Sequence, residues 1–381
     1  MCLCEFASGP YQGCVCPYDG RYNEISCFKT HLSLQCLLAK LLMGRDFRTS
    51  HGLTHLFNRL PLEKVSIIRD RQMNYQTYLD NDILQFIRDT AYHFPNDAAQ
   101  LSIAEQRRIY DSMCRAFAAE RPHHLSVVDR KAGIVGLRHY SVGGGDACIV
   151  YFHGGGFVMG GLNSHDDVCA EICAATGYDV IAVDYRLAPE HRHPAMFDDA
   201  LAATHYVLAM NSLPLLLCGD SAGGNLAAAV AHALRGGVTK RIAGQLLIYP
   251  ALGGDFTSGS YLQHAAAPML SRDDVIFYET IRVEGKPPCD DPTFAPLMDW
   301  DFAGLPPTIV ISAECDPLSD DGRNYCKRIA TAGGRAHWIN ELGLVHGYLR
   351  ARHSVPRAKQ SFAFMISALN DMGHGIWPGD C

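Results

Sequence analysis

"LLLCGDSAGGNLAAAVAHALRGG", Leu215 to Gly237, runs from an unbroken apolar stretch into Gly219-Asp220-Ser221-Ala222-Gly223 and then at once into an alanine- and leucine-rich segment halted by Gly236-Gly237. An apolar strand followed by a sharp turn and a helix is half of a parallel β-α-β unit, whose sheet is covered on both faces. The turn carries a serine between glycines placed two before and two after it. A serine held there sits in strained backbone and needs small neighbours, which is the context in which a G-x-S-x-G pattern marks a nucleophile. Two other readings exist. A serine can simply cap a helix, and a glycine loop can cradle phosphate, but the latter ends in Gly-Lys-Ser/Thr and this one does not.

Outward from this unit the same rhythm repeats. Apolar runs with strand character occur at 147–152, 179–184, 213–218, 243–249, 307–313 and 335–340, alternating with helical patterns at 165–176, 195–210, 222–235, 318–332 and about 354–371. Strands that are apolar throughout, alternating with amphipathic helices, predict a doubly wound α/β sheet. Ahead of it, "LSVVD" and "GIVGLRHYSV" read as a β-hairpin linked by Lys131-Ala132-Gly133, and residues 44–120 read as helical. About 57 residues separate Tyr249 from Pro307. They include a helix beginning at the capping pattern Ser271-Arg-Asp-Asp274, so this insertion is placed to cover a site at the carboxyl edge of the sheet.

A serine hydroxyl attacks only when a base takes its proton and an acid holds that base in the right tautomer. "NELGLVHGYL" places His346 just after the last strand, and "AECDPLSDDG" places Asp316 just after the strand before it. Glu314, Asp320 and Asp321 compete for the acid's role. Asp316 is preferred because Asp320 and Asp321 fall in the first turn of the helix introduced by Pro317, where carboxylates are stabilised by the helix dipole whatever their chemistry. The stretch "YFHGGGFVMGG", Tyr151 to Gly161, leaves the first parallel strand through three glycines. Backbone amides there can point at a developing oxyanion with no side chain in the way. Gly154, Gly155 and Gly156 are the candidates, with the amide of Ala222 beside the nucleophile. His153 reads as a loop-fixing residue, and the His191/His193 pair lacks the further ligands a metal would need. Phe157, Tyr185 and Phe277 are aromatic residues expected to restrict the pocket.

The totals narrow the classes. The chain has 381 residues, a net charge of −7 and 19% charged residues, with no basic block, which argues against nucleic-acid and anionic-membrane partners. No stretch of eighteen apolar residues offers a membrane span. Of fifteen cysteines, six (Cys2, Cys4, Cys14, Cys16, Cys27 and Cys36) crowd the first 36 residues. Their C-x-C spacing misses that of zinc sites, and the leader-like run "HLSLQCLLAKLLM", His31 to Met43, is interrupted by Gln35 and Lys40 and lacks a small-residue cleavage pattern. Residues 1–72 therefore read as an unmatched cysteine-rich extension, non-native or disordered and expected to be dispensable, with Met73 as an alternative start. The other nine are scattered as free thiols in a reducing cytoplasm would be.

Together "HGGGFVMG", "VDYRLAPEHRHPA", "GDSAGGNLA", "AECDPLSDDG" and "HGY" resemble, in order, the signatures of the hormone-sensitive-lipase family of α/β-hydrolases. "IAEQRRIY", Ile103 to Tyr110, narrows the likeness to bacterial acetyl esterases. The resemblance spans about residues 103–369, and nothing before Met73 shares it. It implies a mostly parallel sheet of about eight strands, a helical lid at 73–122, a catalytic domain at 123–381 with a lid insertion near 251–300, and no cofactor or metal. It implies Ser221 as nucleophile, His346 as base, Asp316 as acid, and Gly155, Gly156 and Ala222 as oxyanion donors, with Gly154 a further candidate. The expected activity is hydrolysis of acetyl to butyryl esters. An amide hydrolase of the arylacetamide-deacetylase type uses the same residues, and non-catalytic hormone receptors of this fold have lost the histidine that His346 supplies. Some acetyl esterases also bind a regulatory protein; no motif here speaks to that, nor to oligomeric state.

Overall fold

The computed structural model describes residues 73–380 apart from 96, 97, 99, 100 and 238–240, all within one compact unit, Arg69–Cys381. The expectations for residues 1–72 lie outside the described residues. Eight strands form one sheet: β1 (Ser126–Ala132), β2 (Val135–Ser141), β3 (Cys148–Phe152), β4 (Asp179–Asp184), β5 (Leu215–Asp220), β6 (Ile242–Ile248), β7 (Thr308–Cys315) and β8 (Ala336–Val345), in the order β1-β2-β4-β3-β5-β6-β7-β8. β1, β2 and β4 pair antiparallel, and every pairing from β4 to β8 is parallel.

The apolar runs become central strands because both of their faces are covered. Val150, Phe152 and Leu217 enter one core with Met196, Ala200, Leu226, Tyr325 and Ile329 of the helices Ala195–Met210, Ala222–Leu234 and Ser319–Thr331. The alternate residues Ile149, Tyr151, Leu216 and Cys218 enter the other, against Val168 and Ile172 of Asp166–Thr176 and Met365 and Leu369 of Pro356–Gly373. Each large aliphatic or aromatic side chain so buried contributes roughly 1.5–3 kcal/mol. β1 is largely exposed and charged, as suits an edge strand.

Two sequence expectations shift. The hairpin turns at Gly133-Ile134, since Lys131 and Ala132 pair with Gly136 and Val135; Gly133, at φ 62°, supplies the left-handed position. β8 runs on to Val345 rather than stopping near Asn340, with a register shift opposite Ala313/Cys315. The polar "NELG" hides this continuation, and Glu314 Oε2 satisfies the Gly343 amide at 2.7 Å. In the insertion, the helix Arg272–Ile281 starts where expected: Ser271 and Asp274 form a reciprocal capping box. Among the described cysteines, Cys289 is exposed and the other seven are buried free thiols. No helix among the described residues is long and apolar enough to cross a membrane.

Candidate active site

The turn after β5 holds Ser221 at φ 53°, ψ −116°, a conformation that a residue with a side chain keeps only when its surroundings enforce it. They do so through the backbone: Ser221 N donates to Ile248 O at 2.8 Å, and Ser221 O accepts from Asn225 N at 3.1 Å and Ala251 N at 3.3 Å. The flanking glycines are required sterically. A Cβ on Gly223 would lie 1.9 Å from Phe152 O, and one on Gly219 2.5 Å from the Gly223 carbonyl.

The last two parallel strands deliver the other side chains. His346 follows β8, and its Nε2 lies 2.9 Å from Ser221 Oγ. Its Nδ1 lies 2.6 Å from Asp316 Oδ2, just beyond β7. Asp316 is completely buried, and its Oδ1 accepts from Leu318 N at 2.9 Å. A carboxylate only accepts, so Nδ1 carries the hydrogen in this pair and Nε2 is left to accept from the serine hydroxyl. Tyr249, at φ 33°, packs its ring 4.7 Å from that of His346.

The competing acids go elsewhere. Glu314 accepts from Tyr78 Oη and Gly343 N, both at 2.7 Å. Asp320 accepts from Ser260 N at 3.0 Å and pairs with Arg323 at 2.8 Å. Asp321 does lie in the first helical turn, but it is buried and holds the segment after β6, accepting from Leu252 N (2.8 Å), Tyr261 Oη (3.1 Å) and Gly254 N (3.3 Å). Burial pushes its carboxyl up to about 7 against those bonds.

The three glycines after β3 are not equivalent. Gly154 N donates to Asp220 Oδ1 at 3.0 Å, so its hydrogen is already engaged. Gly155 and Gly156 have φ of 123° and 62°, and their amides meet no acceptor among the described residues. The Ala222 amide, at the first position of its helix, has no carbonyl of its own helix to bond. Phe157 and Tyr185 are buried, the latter donating to His153 O at 2.7 Å, and Phe277 is exposed. Its neighbour Tyr278 meets the turn instead: a Cβ on Gly156 would stand 2.5 Å from that ring. His153 Nδ1 donates to Gly154 O at 2.8 Å, and burial beside His165 pushes its pKa down to about 3, which keeps it neutral. His193 bonds Asp291 at 2.9 Å.

Asp220 was not singled out in the sequence. Burial works against its charge, but His165, the Tyr151 hydroxyl and Arg350 outweigh that and hold its carboxyl well below the usual range. The available signal was an ionisable residue closing an otherwise apolar strand.

Residues 149–350 match the model of a family described by its alpha/beta hydrolase fold. The chain is 37% identical over 235 residues to Carboxylesterase NlhH of Mycobacterium tuberculosis, covering 59% of this chain and 74% of that one. It is 32% identical over 235 residues to Ethyl acetate hydrolase of Pseudomonas putida, covering 58% and 72%. A crystal structure of an esterase from the bacterial hormone-sensitive lipase family superimposes with a TM-score of 0.69 at 25% identity, covering 77% of this chain and 98% of that one.

Proposed function

The chain belongs to the hormone-sensitive-lipase family of α/β-hydrolase esterases, and from that premise we propose that it cleaves short-acyl carboxylic esters through an acyl-enzyme formed on Ser221. It is an esterase and a serine hydrolase. The observation that carries the mechanism is the continuous chain Ser221 Oγ, His346 Nε2, His346 Nδ1, Asp316 Oδ2, with its links of 2.9 and 2.6 Å.

Ser221 Oγ adds to the ester carbonyl as His346 Nε2 takes its proton, and Asp316 stabilises the imidazolium through Nδ1–H. The carbonyl oxygen becomes an oxyanion facing the amides of Gly155, Gly156 and Ala222. Collapse breaks the C–O bond, His346 returns its proton to the departing alkoxide, and the acyl group stays on Ser221. Water, deprotonated by His346, then releases the acid and restores the serine. These steps use only this chain's own residues and water.

Preference for small acyl groups is supported by the likeness of Ile103–Tyr110 to acetyl esterases and by the relative named for ethyl acetate. A panel of p-nitrophenyl esters from acetyl to dodecanoyl, with p-nitroacetanilide beside it, tests both halves. Turnover should peak between acetyl and butyryl and be far slower on the anilide. A maximum at ten carbons or more, or anilide cleavage as fast as ester cleavage, overturns the substrate assignment.

The glycine turn has its own test. Gly155→Ala places a Cβ 2.2 Å from Met159 O at φ 123°, so the turn must move and its amides with it. We expect kcat to fall by about 10²–10³, the scale of losing one oxyanion donor. An unchanged kcat in the folded variant would mean that the glycines serve only the turn.

A further inference from the structure

The turn that presents the proposed oxyanion amides is under strain. Gly155, Gly156 and Phe157 are three consecutive residues with positive φ, at 123°, 62° and 63°, and the third carries a side chain. Such backbone persists only where neighbours overdetermine it. Inside the turn, Val158 N and Met159 N both donate to Gly155 O, at 3.1 and 2.9 Å. The carbonyls of Phe157 and Val158 are held from outside. Phe157 O accepts from Ala188 N at 2.9 Å, and Val158 O accepts from Arg107 Nε at 2.7 Å. Arg107 Nη2 also donates to Ala188 O at 2.8 Å, which closes a ring of bonds around the turn.

Arg107 comes from the helix Ile103–Phe117, ahead of the matched residues 149–350. That helix is firmly seated. A Ser102/Glu105 capping box fixes its start, Tyr110 packs on the core and its hydroxyl accepts from Arg350 at 3.0 Å, and Glu190 receives two further bonds from Arg107 at 2.7 and 3.0 Å. The Arg107–Glu190 pair is partly exposed, and exposed ion pairs contribute little. The two carbonyl bonds are the part that reaches the chemistry.

We propose that Arg107 is a positioning residue for the oxyanion hole, clamping the Val158 and Ala188 carbonyls so that the Gly155 and Gly156 amides keep their direction, and that the helix Ile103–Phe117 is a fixed brace of the active site rather than a moving lid. The inference rests on the reading of those glycines as oxyanion donors. Arg107 touches no reacting atom.

Three variants test it: Arg107→Met, which keeps the apolar stem; Arg107→Lys, which keeps the charge on a single donor atom; and Glu190→Gln, which removes the ion pair but leaves the carbonyl bonds. The readouts are kcat and KM on p-nitrophenyl butyrate, and the inhibition constant of phenylethylboronic acid, whose tetrahedral serine adduct places an oxygen in the oxyanion position. Arg107→Met should lose about 10- to 100-fold in kcat, as small misplacements do, with little change in KM and a parallel weakening of the boronate. Arg107→Lys should recover part of both, and Glu190→Gln should stay within about twofold of the parent. The proposal is overturned if Arg107→Met keeps kcat and boronate affinity while only its melting temperature falls, or if Glu190→Gln loses as much as Arg107→Met. Should Arg107→Met fail to fold, Arg107→Lys decides: boronate binding weaker than in Glu190→Gln supports the brace, and equal binding removes it. Gly156→Ala separates the layers, because unchanged boronate affinity there removes the oxyanion reading itself, whereas a change there with none at Arg107 removes only the brace.

Discussion

Ser221→Ala and His346→Ala are each expected to lower kcat by about 10⁶ on a p-nitrophenyl ester while leaving the protein folded, and the double variant should be no worse than either. Serine and histidine act as one proton-transfer unit, so removing either costs nearly as much as removing both. Folding should survive because the nucleophile turn is held by backbone: Ser221 N to Ile248 O, and Ser221 O from Asn225 N and Ala251 N. None of these bonds uses the hydroxyl. The hydroxyl bonds His346 Nε2, on a side chain that keeps some exposure to water. Circular dichroism and a melting curve establish the fold, and ester turnover then decides. A folded Ser221→Ala enzyme that retained a hundredth of the parent rate would place the nucleophile elsewhere.

Much of this arrangement was legible in the sequence because its signals are local. Ala195–Met210 follows Pro194 and Asp179–Asp184 is an apolar run bounded by polar residues, and both occupy the expected ranges; Arg272–Ile281 starts where its capping box places it. The α/β-hydrolase order of serine, acid and histidine is likewise a property of chain order. What stayed hidden depends on contacts between distant segments. Three successive glycines look alike in sequence, and only Asp220, 66 residues away, sets Gly154 apart by taking its hydrogen. β8 looked shorter than it is because "NELG" breaks the apolar pattern, while its pairing with β7 continues to Val345. Phe277 and Tyr278 are adjacent aromatics, and which of them turns toward Gly156 depends on the rotation of a helix that sequence fixes only loosely. Asp321 carried no mark distinguishing it from Asp320, yet one is buried and the other pairs with Arg323 at the surface end of the same turn.

Asp316→Asn is expected to lower turnover by about 10⁴, and the local hydrogen bonds say why an isosteric change should cost so much. Leu318 N donates to Asp316 Oδ1, so an asparagine here will turn its carbonyl oxygen to that amide and its NH2 to His346. The NH2 can only donate. His346 Nδ1 must then accept, its hydrogen moves to Nε2, and Nε2 can no longer take the proton of Ser221. Asp320→Asn and Asp321→Asn leave this chain untouched and should keep near-parental turnover. The Asp321 variant should differ in another measurement. With its native carboxyl raised to about 7, above the ordinary carboxylate value of about 4, Asp321 binds its proton more tightly folded than unfolded. Its contribution to stability is therefore full below about pH 4 and is lost as the pH rises toward 7. Denaturation midpoints of the parent should show that fall across the interval, and those of Asp321→Asn should lack it. If Asp321→Asn or Asp320→Asn proves to be the variant with collapsed turnover while Asp316→Asn remains active, the orienting acid lies within the helix rather than before it, and the 2.6 Å bond from His346 to Asp316 is a contact without a catalytic part.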